Sequence, residues 1–497
     1  METIDVIILV LYLTLIISLG LYFSRRQKST EDYFLAGRNM PGWVVGFSLM
    51  GTVVSSATFV GHPGNTFKND FWMLSLYLAT PLVMTQVVRL LVFYRHSIKM
   101  SVYEYLGDRF GYPAQVYGSF AFVMSRILDM SMTFYFLGIA VAFLADLDIW
   151  WVILVLGLFT LAYTVLGGIE AVVWTDVIQA VLLVGGGLLC LGIVLFASDF
   201  GPQKVISTAW QGGKFGLGSF RFSLIENNFW IFLVGGVFQA FQSFAISQSA
   251  VQRYLLARTD QEAKRSAIAG VLSCIPVWLL FMFLGACLWA FYQLGGDMVP
   301  PEVIAVKDNI LPYFIKTQLP HGIIGLMLAA LVAAAMSSLD SDLNSVAAVV
   351  VQNFYRTLRP GSTDQQQLAV GRSSVVVVGL AAILMAQQWI GIESFVEFGV
   401  GLASVFSGGM VGLFGLGVLF RRATATGAYA GIAACVLLTG WATLTRIRLP
   451  KMEEPFLNLG SYNYTWVPVL IGILANLALV GVGLAVSLLA GRTQKEA

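Results

Sequence analysis

Residues 333–345 read AAAMSSLDSDLNS, with Ser337, Ser338, Asp340, Ser341, Asp342, Asn344 and Ser345 crowded behind a run of alanines. The stretch sits in the middle of an otherwise apolar segment, from about His321 to Val351, that is long enough to cross a bilayer. Two carboxylates and four serine hydroxyls at that depth are costly in hydrocarbon. Another protein group, water or a bound ion must offset the cost. Wound as an α-helix, the segment puts Ala334, Ser337, Ser338, Ser341 and Ser345 on one face, edged by Asp340, Asp342 and Asn344. Met336, Leu339 and Leu343 take the opposite side. Three readings are open at this point. The face packs a neighbouring helix through small residues, Asp340 relays protons, or the hydroxyls, a carboxylate and backbone carbonyls hold a hard cation. Small-residue packing needs no acid, which favours the cation.

A cation site of that kind needs a partner helix interrupted in mid-membrane, where carbonyls are released. The second apolar segment supplies one in GFSLMGTVVSSATFVGHPG, residues 46–64. Here Gly51, the β-branched Thr52-Val53-Val54 and the hydroxyls of Ser55, Ser56 and Thr58 all weaken a helix.

The rest of the chain agrees with a membrane setting. Of its 497 residues 58% are hydrophobic and 11% charged, and the mean hydropathy is +0.79. This is an all-α polytopic membrane protein. The net charge of +2 shows no nucleic-acid footprint. Cys190, Cys274, Cys287 and Cys435 lie in apolar segments without metal or disulfide spacing. No HExxH or Walker sequence occurs, and His62, His96 and His321 are scattered, so an enzyme is not expected. The first apolar stretch follows an acidic leading end and lacks a cleavage site, and reads as a retained span.

About thirteen spans are expected, near 4–24, 42–64, 71–95, 115–145, 150–168, 171–198, 229–255, 266–293, 321–351, 369–389, 395–420, 425–446 and 465–489. With the N-terminus outside, the inner loops carry about twice as many Lys and Arg as the outer ones, Arg253 counted among the inner set. The expectation is therefore N-terminus out and C-terminus in the cytoplasm.

Several stretches, in order along the chain, resemble the sodium:solute symporter family. They are STEDYFLAGRNMPGWVVGFSLMGTVVSSATFVG (29–61), YTVLGGIEAVVWTDVIQ (163–179), SQSAVQRYLLA (247–257), the opening stretch, and GLFGLGVLFRRATATGAYAGI (412–432). The resemblance implies one transmembrane domain, 1–497, of LeuT type. Inverted five-helix repeats would occupy 42–198 and 229–420, with the helix at 4–24 and the pair at 425–489 outside them. It implies a sodium site made by the carbonyls of Gly51, Val54 and Ala334 and the hydroxyls of Ser337 and Ser338. A second sodium site would fall on Asp176, Ser338, Asp340 and Ser341. The family function is symport of a small organic solute (a monocarboxylate, sugar or related compound) with sodium, by alternating access at the cell membrane.

The solute pocket is expected between the interrupted helix and the third, fourth and seventh spans. Its candidates are Ser55, Ser56, Thr58, Ser75, Leu76, Arg126, Asp129, Gln242, Ser247 and Gln248. The third span, MLSLYLAT at 73–80, has no acid where the family's sugar branch carries one, which points away from a galactose-like solute. Arg126 and Asp129 are spaced to pair on one helix face, as a structural ion pair or around a solute. The expected partners are the solute, sodium ions and lipid, with no nucleic acid, organic cofactor, other metal or obligate protein partner. Proton coupling through Asp340 or Asp176, and a solute sensor, are the alternative functions.

Overall fold

The computed structural model describes residues 2–25, 27, 29–197, 199–295, 299–390, 408–448 and 454–493. Ten helices among them are long and apolar enough to span a bilayer, or eleven when one bent pair is counted as a span. In chain order they are α1 (Thr3–Ser24), the bent pair α2 (Gly42–Val53) and α3 (Ala57–Lys68), α4 (Leu74–Ser97), α5 (Tyr112–Ala145), α6 (Ile149–Ala197), α7 (Phe229–Ile246) and, after a short helix α8 (Gln248–Leu256), α9 (Asp260–Gly295). Then follow α10 (Ile323–Leu358), α11 (Asp364–Gln388), the shorter apolar α12 (Met410–Leu419), α13 (Ala425–Leu444) and α14 (Val469–Ala490).

The segment α6 joins two of the expected spans, 150–168 and 171–198. At 49 residues it would run about 70 Å if straight, more than twice a hydrocarbon core. Gly168 interrupts it, with φ 56° and ψ −174°, in the left-handed region that only glycine enters freely. The expected span 395–420 lies mostly outside the described residues.

The opening stretch forms the centre of the protein. Every residue of α10 from Met327 to Val349 is buried, and the helix packs against α6, α5, α1, α11 and α2. Its oily side therefore meets protein rather than lipid; Met336 Sδ, for example, lies 3.9 Å from the Tyr12 hydroxyl. The start of α10 is tied to α1 by Asp5, whose carboxylate accepts the backbone N–H groups of Gly322 at 2.7 Å and Gly325 at 2.9 Å.

Two helices are interrupted in mid-course. The break between α2 and α3 bends the chain by 59°. Val54 is extended (φ −93°, ψ 105°), and a π-helical turn runs through Ala57–Gly61. Helix α9 follows both halves closely through glycines. A Cβ on Gly270 would lie 2.6 Å from the Gly46 carbonyl oxygen, and one on Gly285 would lie 2.4 Å from that of Pro63. The second break corrects the expectation of one continuous span at 229–255. A π-helical turn at Gln242–Ile246 leads into Ser247, which is extended (φ −73°, ψ 128°), and α8 starts afresh at Gln248.

Candidate sodium and solute site

The α2–α3 break lies against the serine face of α10. In a continuous helix the amides of Ser55 and Thr58 would occupy the carbonyls of Gly51 and Val54. Here the Thr58 N–H turns to the Ser55 carbonyl at 2.9 Å instead. Ser338 reaches across and donates to the Gly51 carbonyl at 3.4 Å, and Thr52 and Ser341 hydroxyls meet at 3.0 Å. The contact at Gly51 is tight: a Cβ there would stand 2.6 Å from Ser337 Oγ. The structure thus brings Gly51, Ser337 and Ser338 together, with Val54 at the break. Carbonyl and hydroxyl oxygens are ligands suited to sodium. Among the described residues no cluster of three or more His, Cys, Asp or Glu is placed to hold a metal ion.

Behind that face lies a buried charge network that sequence reasoning missed. Asp176 is fully buried. Its Oδ1 accepts from Ser337 at 2.6 Å and its Oδ2 from Ser48 at 2.5 Å. Arg253, also fully buried, places a guanidinium nitrogen 3.7 Å from Asp176 Oδ2. It donates to Ser48 Oγ at 3.3 Å and to Ser341 Oγ. Arg253 is therefore no inner-loop base: the α7–α8 break carries it into the core. The available signal was its place in SQSAVQRYLLA, one turn after Ser249 on a segment otherwise apolar enough to be buried. Asp340 turns the other way and accepts from the hydroxyls of Tyr163 and, at 2.5 Å, Thr164. Of the expected second sodium set, Asp176 and Ser341 meet at Arg253, while Asp340 and Ser338 are engaged elsewhere.

A cavity of about 310 Å³ lies beside the α2–α3 break, within the usual range for small-molecule pockets. Of the candidate solute residues Ser55, Thr58, Leu76, Arg126, Asp129, Gln242 and Ser247 line it, and so do Gln239, Tyr77, Trp278, Ser338 and Asp342. Ser56, Ser75 and Gln248 do not. Ser56 donates to the Thr133 carbonyl at 3.0 Å and Ser75 to that of Trp72 at 2.6 Å. Gln248 clamps a neighbouring loop, accepting from Val102 N at 2.8 Å and donating to Met100 O at 2.7 Å. Each of these side chains is buried and makes its hydrogen bonds to backbone. Arg126 pairs with Asp129, as the spacing suggested, but also reaches Asp342 Oδ1 at 3.4 Å. Asp342 is held in place by Ser249 Oγ at 2.8 Å.

The small cavity continues into a larger one of about 1220 Å³, ringed by Lys68, Asp70, Lys214, Glu226, Lys307 and Arg446. Leu76, Tyr77, Arg126, Asp129, Gln239 and Gln242 line both. Tyr103 also lines the small cavity, and its hydroxyl donates to Ile246 O at 3.3 Å. Buried Asn353 donates to Ser101 and Ser119 hydroxyls at 2.8 and 2.7 Å.

The model of the sodium:solute symporter family matches residues 33–434. The chain belongs to the sodium:solute symporter family. The sodium/sialic acid symporter NanT of Aliivibrio fischeri is 34% identical over 446 residues, which is 88% of this chain and 87% of that protein. A solved structure of a Na+-coupled sialic acid symporter, substrate-bound, outward-open and with a novel Na+ site, matches at a TM-score of 0.89 and 30% identity, covering 98% of each chain. Mhp1, a nucleobase-cation-symport-1 family transporter, matches at a TM-score of 0.54 and 15% identity over 93% of this chain and 95% of its own, a likeness of fold alone. This member of the sodium:solute symporter family is thus a sodium-coupled solute symporter, a multi-pass protein of the cell membrane and not an enzyme.

Proposed function

We propose that the chain carries a hydroxylated organic acid of the sialic acid class into the cell together with sodium, by alternating access. One observation carries this reading. The Gly51 carbonyl released by the interrupted helix accepts from the Ser338 hydroxyl directly beside a cavity that Ser338 also lines. A sodium ion bound by Gly51, Val54, Ala334, Ser337 and Ser338 pins α2 to α10 and shapes the solute cavity in the same act. Binding of either then favours binding of the other, by linkage. The names of the similar proteins support the solute class, and a cavity of about 310 Å³ accommodates such an acid. Among the described lining residues Arg126 is the only Lys or Arg. The solute carboxylate takes it by displacing Asp129 or Asp342, while Ser55, Thr58, Gln239 and Gln242 meet hydroxyl groups.

In this reading thirteen spans cross the membrane with the N-terminus outside, and 42–198 and 229–420 are inverted repeats. Two interrupted helices, each the first of its repeat, support that assignment. The wide cavity then faces outward, and the bonds of Gln248, Tyr103 and Asn353 are the inner gate. One inward sodium provides roughly 1.4 kcal/mol for a tenfold gradient; the about 2.3 kcal/mol per 100 mV carried by its charge is offset by the charge of a monoanionic solute moving with it.

The test is uptake into proteoliposomes of radiolabelled sialic acid, a short monocarboxylate and a hexose, with sodium and proton gradients imposed separately. Sialic acid is expected to accumulate under a sodium gradient only, and Ser337→Ala with Ser338→Ala to abolish the stimulation. Accumulation under a proton gradient without sodium would refute sodium coupling; preference for the hexose would refute the solute class.

A further inference from the structure

We infer that the preferred solute is a zwitterion: a hydroxylated organic acid that also bears a protonated amine, with its carboxylate on Arg126 and its ammonium on Asp129. The inference rests on the organic-acid reading above and narrows its solute class. It starts from the charges that line the small cavity. Among the described lining residues Arg126 is the only Lys or Arg, and Asp129 and Asp342 are the only carboxylates. Both acids share that one guanidinium. Asp129 Oδ2 pairs with it closely, and Asp342 Oδ1 lies 3.4 Å from it. Asp342 Oδ1 also accepts from Ser249 at 2.8 Å. The second oxygen of each carboxylate, Oδ1 of Asp129 and Oδ2 of Asp342, has no hydrogen-bond partner among the described residues. The Asp342 side chain is nevertheless only 8% exposed. Buried carboxylate oxygens beside a cavity call for a donor, and the solute is what fills the cavity.

The surrounding charges do not tip the balance towards a plain anion. His62 also lines the cavity. A neutral ring fits both its bonds, donating to the Ala57 carbonyl at 3.4 Å and accepting from the Tyr77 hydroxyl at 2.9 Å. Behind the serine face Arg253 and Asp176 offset one another at 3.7 Å. Asp340, fully buried and bonded by Tyr163 and Thr164, adds a negative charge when ionised, and a bound sodium adds a positive one. With both present, the cavity and its surroundings carry one excess negative charge; with Asp340 protonated they carry none. A monoanion makes either balance more negative by one, in a setting where an uncompensated charge is costly. A zwitterion leaves it unchanged. It also ends the competition at Arg126, because the ammonium takes the aspartate that the solute carboxylate displaces. Asp129 is that aspartate. Its side chain is 37% exposed and it lines both cavities, whereas Asp342 is tied to Ser249. Tyr77 and Trp278, stacked with ring centroids 3.9 Å apart, add aromatic surface to the same lining, and aromatic surface favours a cation over an anion.

The test is isothermal titration calorimetry of the purified full chain in sodium chloride with four probes. They are N-acetylneuraminic acid; D-gluconate; D-glucosaminate, in which an ammonium replaces one hydroxyl of gluconate; and D-glucosamine, which has the amine without the carboxylate. Glucosaminate is expected to bind roughly tenfold or more tightly than either gluconate or glucosamine. In Asp129→Asn its advantage over gluconate is expected to shrink to about threefold or less. Glucosaminate no tighter than gluconate, alongside measurable binding of N-acetylneuraminic acid, overturns the inference and leaves the organic-acid reading intact. Glucosamine as tight as glucosaminate, or no binding of any of the three acids, overturns both. A folded Asp129→Asn chain that keeps the full advantage also overturns the inference, and if that variant does not fold, the wild-type comparison still decides.

Discussion

Replacing Asp176 by Asn leaves the side chain's shape nearly unchanged and removes its charge. Arg253 then remains fully buried with no carboxylate among the described residues within salt-bridge distance, since its one such partner there is Asp176 at 3.7 Å. Breaking a buried pair by removing one partner costs about 3–5 kcal/mol, because the other charge stays desolvated. The amide adds a second injury. It accepts at one atom only, so either Ser337 or Ser48, now 2.6 and 2.5 Å from the two carboxylate oxygens, faces an N–H₂ group. Ser337 is then no longer held at the proposed sodium site, and a weakened hydrogen bond to a charged group is worth about 1.5–3 kcal/mol. Asp176→Asn should therefore unfold earlier and need roughly tenfold or more sodium for half-maximal uptake. The double variant Asp176→Asn with Arg253→Gln removes both charges and should recover most of the stability. The assay is chemical unfolding in detergent for wild type, both single variants and the double, read as a coupling energy. Additive losses, or a single Asn variant as stable as wild type, would refute the buried-pair argument.

Three further outcomes follow from the same geometry. Asp129→Asn relieves competition for Arg126 and should lower the half-saturating concentration of an anionic solute several-fold, while Arg126→Gln should raise it tenfold or more, both read from uptake kinetics. Gln248→Ala leaves Met100 O and Val102 N unpaired, at about 1–3 kcal/mol each, so hydrogen exchange at 98–103 should quicken by at least tenfold. Asp308 lies in a 3-10 turn, Lys307–Asn309, between α9 and α10, buried, its Oδ1 without a hydrogen-bond partner among the described residues. Burial pushes its pKa up to about 6, so the folded protein gains stability as pH falls from 7 through about 6 towards 4 and loses it as pH rises again. Thermal unfolding at pH 7 and pH 5 should show part of this gain, on the order of 1 kcal/mol, in wild type and not in Asp308→Asn.

What the chain alone determined is its material and the two features that meet at the proposed ion site. Apolar segments of bilayer length can only be helices, since lipid offers no partner for backbone polar groups. A glycine followed by β-branched residues and hydroxyls, as at Gly51–Thr58, marks where such a helix fails whatever surrounds it. The serines of α10 share a face by helical period alone. Tertiary structure decided what those groups meet. Arg253 reads as a loop base in the sequence, and only the break at Ser247 carries it against Asp176. Ser56, Ser75 and Gln248 have the chemistry of pocket residues, but their partners are backbone atoms from up to 148 positions away. Asp340 lies one helical turn from Ser337, yet it turns to Tyr163 and Thr164 on another helix. Periodicity along one helix is a local property; the pairing of buried polar groups depends on which neighbour arrives, and that is set by packing between segments far apart in the chain.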